Sequence, residues 1–169
     1  RGTNAQDGFT TAAHIFFGNS SGLSTATGQG YTITGLGGFR GQLIGTGDIN
    51  GDGRADMVMA MTGSTVYVNF GQSTSTTYNA TTLDSGTSSN GFRVQGVTTS
   101  PADLFMQARV VGDFNGDGLD DFVFGQATLR VNGALTGGGY LIYGKTSSST
   151  VFLSDLQVSE GFRINGVLN

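Results

Sequence analysis

Residues 47–60 read GDINGDGRADMVMA, and residues 112–125 read GDFNGDGLDDFVFG. The two stretches lie 65 residues apart and share one layout, an acid-rich turn running into an apolar stretch. Each turn has the pattern D-x-N-x-D-G-x-x-D. Asp48, Asn50, Asp52 and Asp56 fall at positions 1, 3, 5 and 9 of the first loop. Asp113, Asn115, Asp117 and Asp121 do so in the second. Alternate residues of a tight loop point the same way, so the oxygens at positions 1, 3 and 5 are expected to converge. Gly53 and Gly118 at position 6 allow a sharp turn, with positive φ expected. The carbonyls of Arg54 and Leu119 at position 7 then face the same point, and the position 9 Asp closes the shell.

Such an all-oxygen set suits Ca2+, which takes six to eight hard oxygen ligands; Mg2+ keeps its waters and rarely accepts an all-protein cage. Two calcium sites are therefore expected. The loop is not an EF-hand, because position 12 is Met59 or Phe124 where that motif needs Glu, and flanking helices are not predicted. The plain alternative is an Asn-Gly hairpin turn with solvated acids. It does not account for three Asp and one Asn at the same spacing twice. Asp120 lies outside the ligand pattern and reads as a solvated charge.

Working outward, two further motifs repeat. HIFFG (14–18), YVNFG (67–71) and YLIYG (140–144) are apolar runs ending in Gly. GYTITG (30–35), GFRVQG (91–96) and GFRING (161–166) alternate between flanking glycines. Within a unit we read strand A before the Asp loop (42–45; 108–111) and strand B after it (57–61; 122–124). Strand C is the run ending in FG or YG, and strand D the GF-R-x-x-G run. The order C-D, A-B-C-D, A-B-C-D gives ten strands. No useful helical periodicity occurs; residues 154–157 (SDLQ) could form one turn.

Composition agrees with an all-β chain. Glycine is abundant (30 residues), proline occurs once, and charged residues make up 12%. Ser, Thr, Val and Phe suit strands and tight loops. No cysteine is present, which excludes disulfides and Cys-based zinc sites. The net charge of −4 argues against nucleic acid. Seven of the twelve acids lie within 48–56 and 113–121, a crowding that a cation would relieve. No apolar run approaches a membrane span. The polar opening RGTNAQDG is not a signal peptide, so an export signal would lie in a longer precursor.

GDINGDGRADMVMA, GDFNGDGLDDFVFG, YVNFG, YLIYGKTSSS and LSDLQVSEGFRINGV together resemble FG-GAP repeats, the blades of integrin-α-like β-propellers, in their bacterial surface-protein form. The resemblance covers nearly the whole chain and is strongest over 105–169. It implies antiparallel four-stranded blades in a propeller of about seven, with calcium between strands A and B. The implied ligands are the eight side chains named above and the carbonyls of Arg54 and Leu119. Residues 1–38 would be half a blade, 39–100 a blade with its loop at 48–56, and 101–169 a blade with its loop at 113–121. Two departures stand out. The GAP triplet is replaced by Met59-Ala60-Met61 and Gly125-Gln126-Ala127, and two and a half blades do not close a propeller. The chain is then a piece of a longer protein, part of a split propeller, or a unit completed by other copies of itself.

Other candidates fall away. Residues 139–146 (GYLIYGKT) match the phosphate-loop pattern, yet YLIY reads as an apolar strand and no helix is expected after it. His14 matches Tyr67 and Tyr140 in the repeat and reads as a strand residue. Asp103, Asp155 and Glu160 read as loop acids. Arg93 and Arg163 are expected to pair with an acid or an aromatic. Arg1-Gly2-Thr3 is not an RGD attachment motif. With no nucleophile–base pair, we expect a non-enzymatic, calcium-stabilised adhesive or structural module, extracellular or at the cell surface. Its expected partner is another protein or another copy. The alternative is a glycan- or ligand-binding module attached to a secreted enzyme, using residues 72–90 and 145–155.

Overall fold

The computed structural model describes residues 12–19, 22–23, 28–36, 39–61, 65–96 and 105–167. In chain order the strands are β1 (Ala13–Phe16), β2 (Gly18–Asn19), β3 (Gly22–Leu23), β4 (Gly30–Thr34), β5 (Phe39–Gly47), β6 (Asp56–Met61), β7 (Thr65–Asn69) and β8 (Thr77–Asn79). They continue with β9 (Gly91–Gln95), β10 (Phe105–Gly112), β11 (Asp121–Gln126), β12 (Arg130–Val131), β13 (Ala134–Leu135), β14 (Gly138–Ile142), β15 (Val151–Phe152) and β16 (Gly161–Asn165). Two 3-10 helices cover Ala80–Ser85 and Leu153–Asp155. The described residues are all-β, and none of the sheets they form is closed.

Two four-stranded antiparallel meanders repeat the same plan, β5-β6-β7-β9 and β10-β11-β14-β16. β1 and β4 form the corresponding third and fourth strands of an N-terminal sheet. All ten strands expected from the sequence form; the four flanking the Asp loops are longer than expected, and the other six stop one or two residues short of their closing glycine. The short helix of the C-terminal unit begins at Leu153, one residue before the expected stretch. Arg1–Thr3, Asp7 and Asp103 lie outside the described residues.

Three layers stack face to face, which explains the apolar run after the first Asp loop. Successive strand residues point to opposite faces. Met57, Met59 and Met61 of β6 pack with Tyr31 and Ile33 of the N-terminal sheet. Val58, between them, packs with Phe122, Phe124 and Ile142 of the C-terminal unit. β6 is thus covered on both sides and must be apolar on both. Close approach accompanies the stacking. A Cβ on Gly47 would sit 2.6 Å from Val110 Cγ1 and 2.5 Å from Asp120 Oδ2, so any larger residue there would have to push those two side chains aside.

The connection between the third and fourth strands of each unit reaches back to the preceding sheet. β8 lies parallel to β4, with Tyr78 opposite Ile33. β15 lies parallel to β9, with Val151 opposite Val94. Each added strand leads directly into a 3-10 helix. The segments 72–90 and 145–155, read as candidate binding loops, contain these two packing elements. Residues 139–146 form β14 and a bend, and no helix follows before β15.

Candidate metal centres

Both Asp loops lie between the first and second strands of their units, on one side of the stack. Gly53 and Gly118 have φ of 80° and 90°, as the turn requires. In each loop the position 1 carboxylate is wrapped by the loop's own amides. Asp48 accepts hydrogen bonds from the Asp52 (2.9 Å) and Gly53 (2.8 Å) amides. Asp113 accepts the same pair from Asp117 and Gly118, both at 2.9 Å, and a further one from Gly116. Asn50 Oδ1 and Asn115 Oδ1 accept the position 5 amide. Asp52 Oδ1 and Asp117 Oδ1 accept the position 7 amide. These bonds fix the direction of the oxygens at positions 1, 3 and 5. All three positions are solvent-exposed apart from half-buried Asp48 and Asn50.

Position 9 differs. Asp56 and Asp121 are fully buried. Asp56 Oδ2 accepts from the Ile49 and Asn50 amides, and its Oδ1 from Gly71 at 2.7 Å. Asp121 makes the same bonds to Phe114, Asn115 and Gly144. Each carboxylate thus staples the start of its loop to the glycine two residues beyond the third strand. Burial pushes the Asp56 carboxyl up to about 6; the three amides pull it down and the charge of Asp52 adds to the rise. A carboxylate offers about four lone-pair sites, so three amides leave one, on Oδ1.

The cation-like partners of the two loops are unequal. Arg54 Nη1 forms an ion pair with Asp52 Oδ2 at 2.9 Å. Leu119 stands at the equivalent position, and there Asn115 Nδ2 donates to Asp117 Oδ2. Among the described residues no three acidic, His or Cys side chains are gathered tightly enough to hold a metal as they stand. The donor chemistry nevertheless fits a hard cation. Both loops offer oxygen donors only, amide-oriented, with anionic groups at positions 1, 5 and 9.

Asp120 corrects the sequence reading. It is half-buried, and its carboxylate accepts the Asp48 amide at 2.9 Å while its own amide donates to the Asp48 carbonyl at 3.0 Å. It therefore clamps the second loop onto the first. The Lys145 amide adds a bond to the Ile49 carbonyl at 2.9 Å. Nothing in a single loop distinguishes this residue, because its partner lies 72 positions away. Arg93 pairs with Asp84 at 2.9 Å as expected, and Tyr67 donates to the same carboxylate oxygen. Arg163 instead donates to the Arg130 carbonyl. His14 is an exposed strand residue with Nδ1 3.0 Å from Thr32 Oγ1. No protein-family model matches the chain, and no curated protein matches it.

Proposed function

We propose that the protein is a calcium-binding, non-enzymatic structural module of the FG-GAP propeller type, working outside the cell or on its surface in adhesion or assembly. The observation that carries this reading is the twofold recurrence of one loop with the same side-chain-to-amide bonds at equivalent positions. Turn formation alone does not require three carboxylates at each copy. A Ca2+ ion would be held by Asp48, Asn50 and Asp52, with the Arg54 carbonyl and the remaining lone pair of Asp56. Asp113, Asn115, Asp117, the Leu119 carbonyl and Asp121 would hold the second. The ion would supply positive charge, and no chemical step is assigned to it.

The physical role is linkage. An ion that binds only the folded chain stabilises it by RT ln(1 + [L]/Kd), about 1.4 kcal/mol per site at ten times Kd. A dication would also reverse the upward shift of Asp56. Two ions take the formal net charge from −4 to 0. Sites of about 10⁻⁴–10⁻³ M are filled outside cells, where calcium is abundant, which supports that location. Titration calorimetry with Ca2+ on the chelator-treated chain, paired with melting curves, tests the reading. We expect two ions per chain and a higher Tm. No heat and an unchanged Tm at about 5 mM Ca2+, several times the weakest Kd of this class, would end it.

A further inference from the structure

The two buried interfaces of the stack use equivalent positions but differ in polarity at three of them. Tyr31 of β4 corresponds to Phe92 of β9, each the second residue of its strand. Asn69 and Ile142 are the last residues of the equivalent strands β7 and β14. Tyr78 and Val151 lie in the returning strands, opposite the equivalent Ile33 and Val94. Between the middle and C-terminal units the three positions are Phe92, Ile142 and Val151, all apolar and fully buried. Between the N-terminal sheet and the middle unit they are Tyr31, Asn69 and Tyr78, and each brings a polar group into the interface.

Those polar groups satisfy one another only in part. Tyr78 donates to Asn69 Oδ1 at 2.8 Å. Asn69 Nδ2 and the Tyr31 hydroxyl have no hydrogen-bond partner among the described residues, although their residues are only 0% and 4% exposed. Turning the Asn69 amide over exchanges the atom that meets Tyr78 and leaves the other unmatched. Burial lifts the Tyr78 phenol above its ordinary value, and the charges of Tyr31 and Asp56 add to the rise, so the Tyr31 hydroxyl lies within electrostatic reach of Tyr78. Space is available beside them. Asn69 is smaller than Ile142, and its cross-strand partner Met57 is slimmer than Phe122, the partner of Ile142. The Tyr78 ring fills part of that room.

We infer that one water molecule is bound between the N-terminal sheet and the middle unit, where it bridges the Tyr31 hydroxyl and Asn69 Nδ2. Buried waters occupy enclosed places where polar groups lack partners, and they make two to four hydrogen bonds there. Water accepts from an amide and either donates to or accepts from a phenol, so it matches both groups. Left dry, both would carry the full cost of desolvation. The bridge ties β4 to β7 across the first interface, and the second interface has no polar groups at the equivalent positions to hold one. It uses none of the residues assigned to the metal loops, so it stands or falls apart from calcium.

A crystal structure of the full chain that resolves ordered waters tests it. One water should lie within about 2.7–3.2 Å of both Tyr31 Oη and Asn69 Nδ2. Tyr31→Phe, which copies the residue of the second interface, should lower the Tm by about 2–4 °C, because it takes a partner from the water without removing apolar contact. No water at that place, or a direct Tyr31–Asn69 hydrogen bond, overturns the proposal. An unchanged or higher Tm for Tyr31→Phe overturns it too, since that is the outcome for a hydroxyl buried dry. If Tyr31→Phe does not fold, the wild-type crystal structure decides alone.

Discussion

Replacing Asp121 by Ala separates the structural work of the Asp loops from the metal binding we propose for them. Asp121 is fully buried and accepts three backbone amides, from Phe114, Asn115 and Gly144. Alanine leaves those three donors facing a methyl group. Hydrogen bonds to charged acceptors contribute about 1.5–3 kcal/mol each, and a buried unmatched amide costs about 1–3 kcal/mol. Removing the buried charge returns part of this, because ionised Asp121 itself pays for desolvation. The expected net loss is about 3–5 kcal/mol, or roughly 10–15 °C in Tm for a chain of this size. The assay is thermal and urea unfolding in excess chelator, so that no ion contributes. Asp117→Ala is the control, since Asp117 is exposed and accepts one backbone amide, from Leu119. It should lose under about 1 kcal/mol in chelator, yet lose the Ca2+-dependent stabilisation of its loop. Asp121→Asn keeps the shape but turns one acceptor into a donor, and it should fall between the two. A loss under about 1 kcal/mol for Asp121→Ala in chelator would refute the staple.

Arg54 must be displaced from Asp52 before a cation can use both oxygens, so the first loop should bind Ca2+ more weakly than the second. An exposed ion pair contributes up to about 1 kcal/mol, which corresponds to about fivefold in Kd. Arg54→Leu should bring the two sites together in a calorimetric titration, and tighter binding by the unmodified first loop would contradict this. Asp120→Ala should cost about 1–2 kcal/mol in urea unfolding by freeing the Asp48 amide. The same substitution should lower the coupling between calcium binding at the two loops, whereas independent sites in the wild type would show that the clamp transmits nothing. Burial raises the phenols of Tyr31, Tyr67, Tyr78 and Tyr140 above their ordinary value, Tyr67 and Tyr78 most. Their contribution to stability is complete below a pH of about 10 and is lost as the pH rises, because the unfolded chain releases those protons first. Phenolate absorbance from these four should therefore appear together with unfolding, and its appearance in the folded chain would refute their burial.

The sequence alone determined the strands, their order within a unit and the Asp loops, because each is encoded locally. Alternation marks a strand, Gly at position 6 marks the turn, and a fixed spacing aligns the oxygens. The run Asp56–Met61 carried a tertiary message as well, since residues apolar on both faces must be covered on both. Tertiary structure alone decided three things. It turned Asp56 and Asp121 into staples, because Gly71 and Gly144 arrive at their carboxylates from the third strand. It made Asp120 a clamp rather than a solvated charge, because stacking brings the two loops together. It also sent β8 and β15 back to the preceding sheet, across Ser/Thr-rich segments whose composition resembles any loop. Each of these depends on contacts between residues distant in sequence, and periodicity along one strand has no access to them.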